Sequence, residues 1–340
     1  MRKKAAYTVA VMGATGAVGE EMIKILAERK FPVKKLVLLA SARSAGKSYR
    51  FGDRDVVVQE LKEDSFAGVD IVLASAGGSI SKKFAPLAVA AGAVVIDNTS
   101  AYRMDPEVPL VVPEINPRDI KKHKGIIANP NCSTIIMLVP LFPIHKDNKI
   151  KKIIVSTYQA ASGAGAKAMK ELETQSREVL EGKPATKEVF PHQIAFNLFS
   201  HNSSIKDDGY NEEELKMMKE TKKIFHSEKI KVTATTVRVP VFRAHSEAIY
   251  VELTREPDLA RVRQLLAQAP GVSVVDDRDK NHFPMPIEAA GKDDVFVGRI
   301  RSDSTSPKGM WLFVAGDQLR KGAALNAVQI AEILCGRSAS

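Results

Sequence analysis

The chain has 340 residues, 44% hydrophobic and 26% charged, with a formal net charge of +10, the composition of a soluble globular protein long enough for two domains. Its longest apolar run, Ile135 to Ile144, is too short to span a bilayer and is interrupted by Pro140 and Pro143, so no membrane segment is expected. With 6% aromatic residues and no arginine-rich stripe, the basic excess fits a solvated surface and small anionic ligands, not nucleic acid.

Met1-Arg2-Lys3-Lys4 followed by apolar residues mimics a signal peptide. The apolar part runs into a glycine-rich turn, which makes it a first β-strand, Tyr7 to Met12. The turn, G-A-T-G-A-V-G at Gly13 to Gly19, opens a helix with apolar positions at Val18, Met22, Ile23, Ile25 and Leu26. Strand, glycine turn and helix form the context of a dinucleotide-binding turn, in which the pyrophosphate sits on the helix N-terminus. The spacing is G-x-x-G-x-x-G and not the more specific G-x-G-x-x-G, so context carries the assignment. The next strand, Lys35 to Ala40, ends in Ser41-Ala42-Arg43-Ser44-Ala45-Gly46-Lys47 where an acidic residue would meet a free ribose 2′-hydroxyl. Hydroxyls and an arginine fork suit a 2′-phosphate, which favours NADP; a polar loop with an incidental arginine reads the same way.

Strands follow at Val69–Ala74 and Ala93–Asp97, separated by Gly77-Gly78 and a helix from Lys82 to Ala91. The alternation predicts an α/β fold, a Rossmann-type doubly wound parallel sheet with ligands at its carboxyl edge. Arg103 follows the last of these strands and is placed to meet an anion. The stretch Asn129-Pro130-Asn131-Cys132-Ser133-Thr134 lies between a short strand (Gly125 to Ala128) and a helical run (Ile135 to Leu141). A thiol at a helix start loses its proton more readily, and the thiolate is the nucleophile. The alternative is a buried, inert cysteine. Only two cysteines, 132 and 335, are present, which favours a reducing, cytoplasmic compartment. No Cys/His cluster has metal-ligand spacing, so no metal is expected.

Beyond Cys132 the texture changes. A strand at Ile153–Gln159 enters the small-residue loop Ala160 to Gly165, and a helix runs from Ala166 to about Glu181. Residues 182–209 read as loop with short elements. Asn211 and Glu214 are spaced as a capping box for a helix whose apolar face is Leu215, Met218 and Phe225. Glu213 and Lys216 on that helix read as an exposed ion pair. Strands then dominate, at 232–239, 248–254, 272–275, 294–301 and 311–315, giving an α+β second domain. A last helix, Gly322 to Leu334, returns to the first domain. The expected division is 1–131 with 319–340 as NADP-binding domain and 132–318 as catalytic and dimerisation domain.

The turn at 13–19, S-A-R-S-A-G-K at 41–47, S-A-Y-R-M at 100–104, N-P-N-C-S-T at 129–134, Q-A-A-S-G-A-G at 159–165, R-V-P-V-F-R-A-H-S-E at 238–247 and D-Q-L-R-K-G-A-A at 317–324 together resemble the aspartate-β-semialdehyde dehydrogenases over nearly the whole chain. The resemblance implies reduction of β-aspartyl phosphate by NADPH to aspartate semialdehyde and phosphate, a step of lysine, threonine, methionine, isoleucine and diaminopimelate biosynthesis, by a homodimer. It implies Cys132 as acyl-thioester nucleophile and His245 as general acid/base. It assigns Arg238 to the substrate carboxylate, Arg103 and Lys216 to phosphate, Glu213 to the ammonium group and Gln159 to the acyl group. Thr15, Gly16, Ala17, Val18, Arg43, Ser44, Ser162, Gly163 and Gln318 would touch NADP. The chemistry agrees: a thioester is open to hydride where a carboxylate is not, and proton transfer near neutrality suits histidine. Residues 193–197 and the stretch from His201 fit the family pattern loosely. N-acetyl-glutamyl-phosphate reductase shares the thiol and cofactor, and a catalytically silent nucleotide-binding protein is the remaining alternative.

Overall fold

The computed structural model describes residues 3–338. The chain divides into two compact units, the first made of the residues up to Asn131 together with those from Ala323 on, the second of Cys132–Gly322. The return to the first unit thus falls at Ala323, not Leu319. Among the described residues no helix is long and apolar enough to cross a membrane.

The first unit starts with β1 (Tyr7–Met12), α1 (Ala17–Glu28) and β2 (Val33–Ala40). A hairpin absent from the sequence reading follows, β3 (Ser48–Phe51) and β4 (Arg54–Glu60), then β5 (Ile71–Ala74), α2 (Gly78–Ala90), β6 (Val94–Asp97) and β7 (Ile126–Ala128). The sheet order is β3-β4-β2-β1-β5-β6-β7. All neighbours pair in parallel except β3 with β4. The chain leaves β1 toward β2 on one side and resumes at β5 on the other, so the Gly13 turn opens at the switch point where such sheets bind ligands. Helix α1 buries Met22, Ile23, Ile25 and Leu26, as their helical spacing requires.

The second unit begins with α3 (Cys132–Asp147), β8 (Ile150–Gln159), α4 (Ala166–Leu180), β9 (Phe199–Ser200), α5 (Glu212–Ile224), β10 (Lys231–Arg238) and β11 (His245–Leu253). It continues with α6 (Leu259–Ala267), β12 (Val272–Val274), α7 (Pro286–Ala289), β13 (Val295–Ser302) and β14 (Gly309–Gly316). Its sheet is mixed, in the order β12-β13-β14-β11-β8-β10-β9, with β8–β10 and β12–β13 parallel and the other pairs antiparallel. Helix α3 runs through Pro140 and Pro143 to Asp147, past the expected end at Leu141. Its residues are buried from Ser133 to Leu141, and packing overrides the loss of backbone donors.

Helix α5 corrects a further expectation. Its buried face carries Glu213, Met217, Glu220, Thr221 and Ile224, and Leu215, Met218 and Phe225 are only half-buried. The polar members of that face have partners: the Thr221 hydroxyl donates to the Met217 carbonyl at 2.7 Å. The expected capping box is present, with Glu214 N–H donating to Asn211 Oδ1 at 2.9 Å and Asn211 N–H to Glu214 Oε2 at 2.9 Å. After a π-turn at Arg320–Ala324 comes α8 (Leu325–Leu334), which packs into the first unit's core against Val9, Val11, Leu38 and Ile96.

Candidate functional site

In the first unit the glycine turn is shaped for close approach. A Cβ at Gly19 would lie 2.2 Å from the Gly13 carbonyl oxygen, and Gly13, at φ 89°, would put a Cβ 2.5 Å from the Ser75 oxygen. No side chain caps α1, so its first N–H groups remain for an anion. Thr15 Oγ1 donates to Ser44 Oγ at 3.3 Å, which brings the turn and the loop after β2 together. Arg43 is exposed in a short 3-10 turn over Ala42–Ser44. These residues fit a dinucleotide phosphate cradle with a cation beside it. Arg103 is buried, its Nε donating to the Asn129 carbonyl at 2.9 Å and Nη2 to the Asn98 carbonyl at 2.7 Å. Asn129 in turn donates to Asn98 Oδ1 at 2.9 Å. The guanidinium is thereby held against the chain segment that ends at Asn131.

In the second unit Cys132 opens α3, half-buried, while Cys335 is buried at the end of α8. Burial pushes the Cys335 thiol up to about 11, the inert counterpart of the thiol at a helix start. Gly322 closes over Cys132: a Cβ there would stand 2.9 Å from the cysteine Cβ. Arg238, at the end of β10, is 4% exposed and lies close enough to Cys132 and Glu213 for their charges to couple.

His245 opens β11 and is fully buried. Because β10 ends at Arg238 and a separate strand begins at His245, the odd spacing between them does not force them to opposite faces. The Ala160 N–H donates to His245 Nδ1 at 3.0 Å. A backbone N–H can only donate, so Nδ1 holds the lone pair and the neutral ring carries its proton on Nε2. Nε2 has no hydrogen-bond partner among the described residues. It borders Gly163, where an added Cβ would come within 3.1 Å of Nε2 and 2.9 Å of Arg238 Nη1. Burial first, and then the Arg238 charge, hold the His245 pKa down to about 3.

Gln159, at the end of β8, donates from Nε2 to Glu213 Oε1 at 3.3 Å, and its Oε1 accepts from Thr157 Oγ1 at 3.1 Å. Glu213 Oε2 accepts from Lys216 Nζ at 3.2 Å. This pair was expected on the surface. Glu213 is instead 5% exposed, held inward by α5's buried face. Ser162 and Gln318 are also buried; Gln318 Nε2 donates to Ser162 Oγ, and its Oε1 accepts from Ala244 N–H at 2.9 Å. The structure therefore gathers Cys132, Gln159, Glu213, Arg238 and His245, with Lys216, Ser162, Gly163 and Gln318 around them.

Some contributors were missed. Asp317, fully buried, accepts from Arg243 Nε at 2.6 Å, from the Gly291 N–H at 2.6 Å and from the N–H groups of Leu319 and Arg320 at 2.9 and 3.1 Å. It fixes the loops on either side of Gln318. His201 and Asn202 both reach Arg238, with His201 Nε2 2.9 Å from Nη2 and Asn202 Oδ1 3.2 Å from Nε. No periodicity marked them, because their loop has none.

Comparison with known proteins agrees with this geometry. Residues 8–123 match the family described as semialdehyde dehydrogenase, NAD binding domain, and residues 141–321 the semialdehyde dehydrogenase, dimerisation domain. The aspartate-semialdehyde dehydrogenase of a Synechocystis species is 56% identical over 329 residues, covering 97% of each chain. Among solved structures, Vibrio cholerae aspartate semialdehyde dehydrogenase II complexed with ASA superposes with a TM-score of 0.95 at 49% identity, over 97% of this chain and 98% of that one. The Candida albicans aspartate semialdehyde dehydrogenase with NADP gives 0.74 at 28% identity, over 97% and 98%.

Proposed function

Since the chain belongs to the semialdehyde dehydrogenase family, among aspartate-semialdehyde dehydrogenases, we propose that it catalyses NADPH-dependent reductive dephosphorylation of β-aspartyl phosphate to aspartate-β-semialdehyde. The observation that carries the reading is the grouping of the Cys132 thiol at the start of α3 with Arg238 and with a His245 whose Nε2 is left for a ligand.

On this reading the Cys132 thiolate attacks the acyl carbon, the bond to the phosphate oxygen breaks, and a thioester remains on the sulfur. NADPH, when bound, supplies the hydride that reduces the thioester carbon. The Cys132 sulfur then leaves as the aldehyde forms, and the proton taken up overall ends on the released phosphate. His245 acts through Nε2. With Nδ1 engaged by Ala160, the resting ring presents an N–H donor to the oxygen that becomes negative when the carbon is tetrahedral. That differs from the resting proton acceptor which a general base would require.

Arg238 pairs with the substrate α-carboxylate, a match of planar forks, and Glu213 with its ammonium group. Gln159, fixed between Thr157 and Glu213, orients the acyl group. Arg103 and Lys216 are assigned to phosphate. Thr15, Gly16, Ala17, Val18, Arg43 and Ser44 hold NADP through the cradle and its cation, and Ser162, Gly163 and Gln318 belong to the same cofactor assignment. The product would feed lysine, threonine, methionine and diaminopimelate synthesis, and a thiol nucleophile suits the reducing cytoplasm.

We assign the second unit to homodimer formation as well. One face of its sheet carries Ile154, 39% exposed and in register with Tyr250 and Trp311, and Tyr158, 38% exposed with its ring centre 6.3 Å from that of Phe313. Tyr250 packs on Trp311 with ring centres 5.3 Å apart. Such an aromatic sheet face suits a second copy, and scattering at low concentration measures the mass. The activity test is phosphate-dependent NADP reduction by aspartate semialdehyde, with N-acetyl-glutamate semialdehyde, which lacks a free ammonium group for Glu213, as the comparison substrate. Wild-type turnover of the first alone supports the reading; no turnover rejects it.

A further inference from the structure

We infer that His201 and Asn202 form a clasp that presets Arg238 to receive a carboxylate, and that the loop carrying them is a positioning element for the substrate. The inference rests on the proposed role of Arg238 as carboxylate ligand. The guanidinium has one N–H on Nε and two on each terminal nitrogen. Nε donates to Asn202 Oδ1 at 3.2 Å, Nη1 to the Ala160 carbonyl at 3.2 Å and Nη2 to His201 Nε2 at 2.9 Å. One N–H is left on each terminal nitrogen among the described residues, the pair that a carboxylate accepts bidentately. The face of the group lies on Phe190, 5.7 Å from the ring centre. Nε and Nη2 hold the clasp, and one N–H on each terminal nitrogen is kept for a ligand.

The histidine can play this part only as an acceptor. Arginine offers no lone pair, so His201 Nε2 presents its own and the proton of the neutral ring sits on Nδ1. From there it donates to Ser203 Oγ, 3.1 Å away. The Ser203 N–H also faces Nδ1, at 3.2 Å, so donors meet both ring nitrogens, and the shorter 2.9 Å approach of the charged Arg238 Nη2 to Nε2 decides the tautomer. Burial, and next the charge of Arg238, hold the His201 pKa down to about 4, so the acceptor is present at neutral pH.

The loop is held in place independently of the ligand. Strand β9 pairs with β10, Phe199 opposite Arg238 and Ser200 opposite Val237. The His201 N–H donates to the Thr236 carbonyl at 2.9 Å. Ser203 Oγ also accepts the Glu213 N–H at 3.3 Å, which ties the clasp to the first turn of α5. The stretch that fits the family pattern loosely is therefore the one that sets the angle of the carboxylate-binding arginine.

The test is steady-state kinetics of the full-length protein with aspartate semialdehyde, phosphate and NADP. His201→Leu removes the acceptor, and loss of a hydrogen bond to a charged group should raise the semialdehyde KM about tenfold or more, with kcat and the phosphate KM within about threefold. His201→Gln restores a neutral acceptor and should bring the KM back to within about threefold of wild type. Asn202→Ala removes the Nε acceptor at an exposed position and gives the same split in KM if His201→Leu fails to fold. Wild-type turnover with an unchanged KM in His201→Leu and Asn202→Ala overturns the clasp alone. So does a KM that Gln leaves as high as Leu does, or a loss confined to kcat. No turnover by wild type overturns both the clasp and the function it rests on.

Discussion

Replacing His245 with Leu removes the one donor that the site aims through Nε2 while keeping the position apolar and filled. Nδ1 accepts from Ala160 at 3.0 Å, the ring is fully buried, and its pKa lies at about 3. Burial and the Arg238 charge thereby hold the ring neutral at pH 7. The neutral N–H is then the working group. Loss of one preorganised donor to an oxyanion lowers kcat about 10²- to 10³-fold, or roughly 3–4 kcal/mol of barrier. His245→Gln, which can place an amide N–H at similar reach, should recover part of that loss. The decisive assay is the pH dependence of kcat with semialdehyde, phosphate and NADP. Because the ring's charge does not change near neutrality, no inflection between roughly pH 5 and 8 should depend on His245. An acid limb near the ordinary histidine value of 6.5 in wild type, absent from His245→Gln, would refute the donor role in favour of proton abstraction by the ring.

Arg43→Ala should weaken NADP binding about tenfold or more with little effect on NAD; calorimetric titration of both dinucleotides reads this, and equal losses for the two would remove Arg43 from the 2′-phosphate. Glu247, two residues beyond His245 on β11, has a fully buried carboxyl with no hydrogen-bond partner among the described residues, and burial raises its pKa well above the usual 4.5. The folded state thus binds a proton that the unfolded state releases, and the stability linked to it falls as pH rises above 4.5. Glu247→Met should therefore stabilise the protein by about 1–3 kcal/mol at neutral pH, the gain growing with pH; denaturant unfolding at two pH values measures it, and a gain that shrinks on raising the pH contradicts the assignment.

The parts of the site that follow local rules were legible in the chain. The Gly13 turn could be read because strand, glycines and helix adjoin in sequence, and Gly19 has no room for a side chain beside Gly13. The capping box at Asn211 is a two-residue signal and reads equally well. What depends on distant packing did not read. Prolines at 140 and 143 suggested a broken helix, yet burial along α3 keeps it continuous. The apolar spacing of α5 pointed to Leu215 and Met218, because Gln159, which meets the buried Glu213, lies 54 residues away in the chain. Spacing alone did not choose His245 among the histidines; family motifs did, and its fixed tautomer became visible only once Ala160 was seen beside it. His201 carried no signal, because its partner Arg238 is 37 residues away.

In the proposed reaction the Cys132 sulfur carries the acyl group. Its most direct measurement is the intact and peptide mass of the enzyme mixed with aspartate semialdehyde and NADP without phosphate, then quenched in acid. Trapping of an aspartyl thioester on the peptide containing Cys132, discharged by added phosphate, is the expected result. An unmodified Cys132 under conditions where the complete mixture turns over, or an adduct on Cys335 alone, would contradict it.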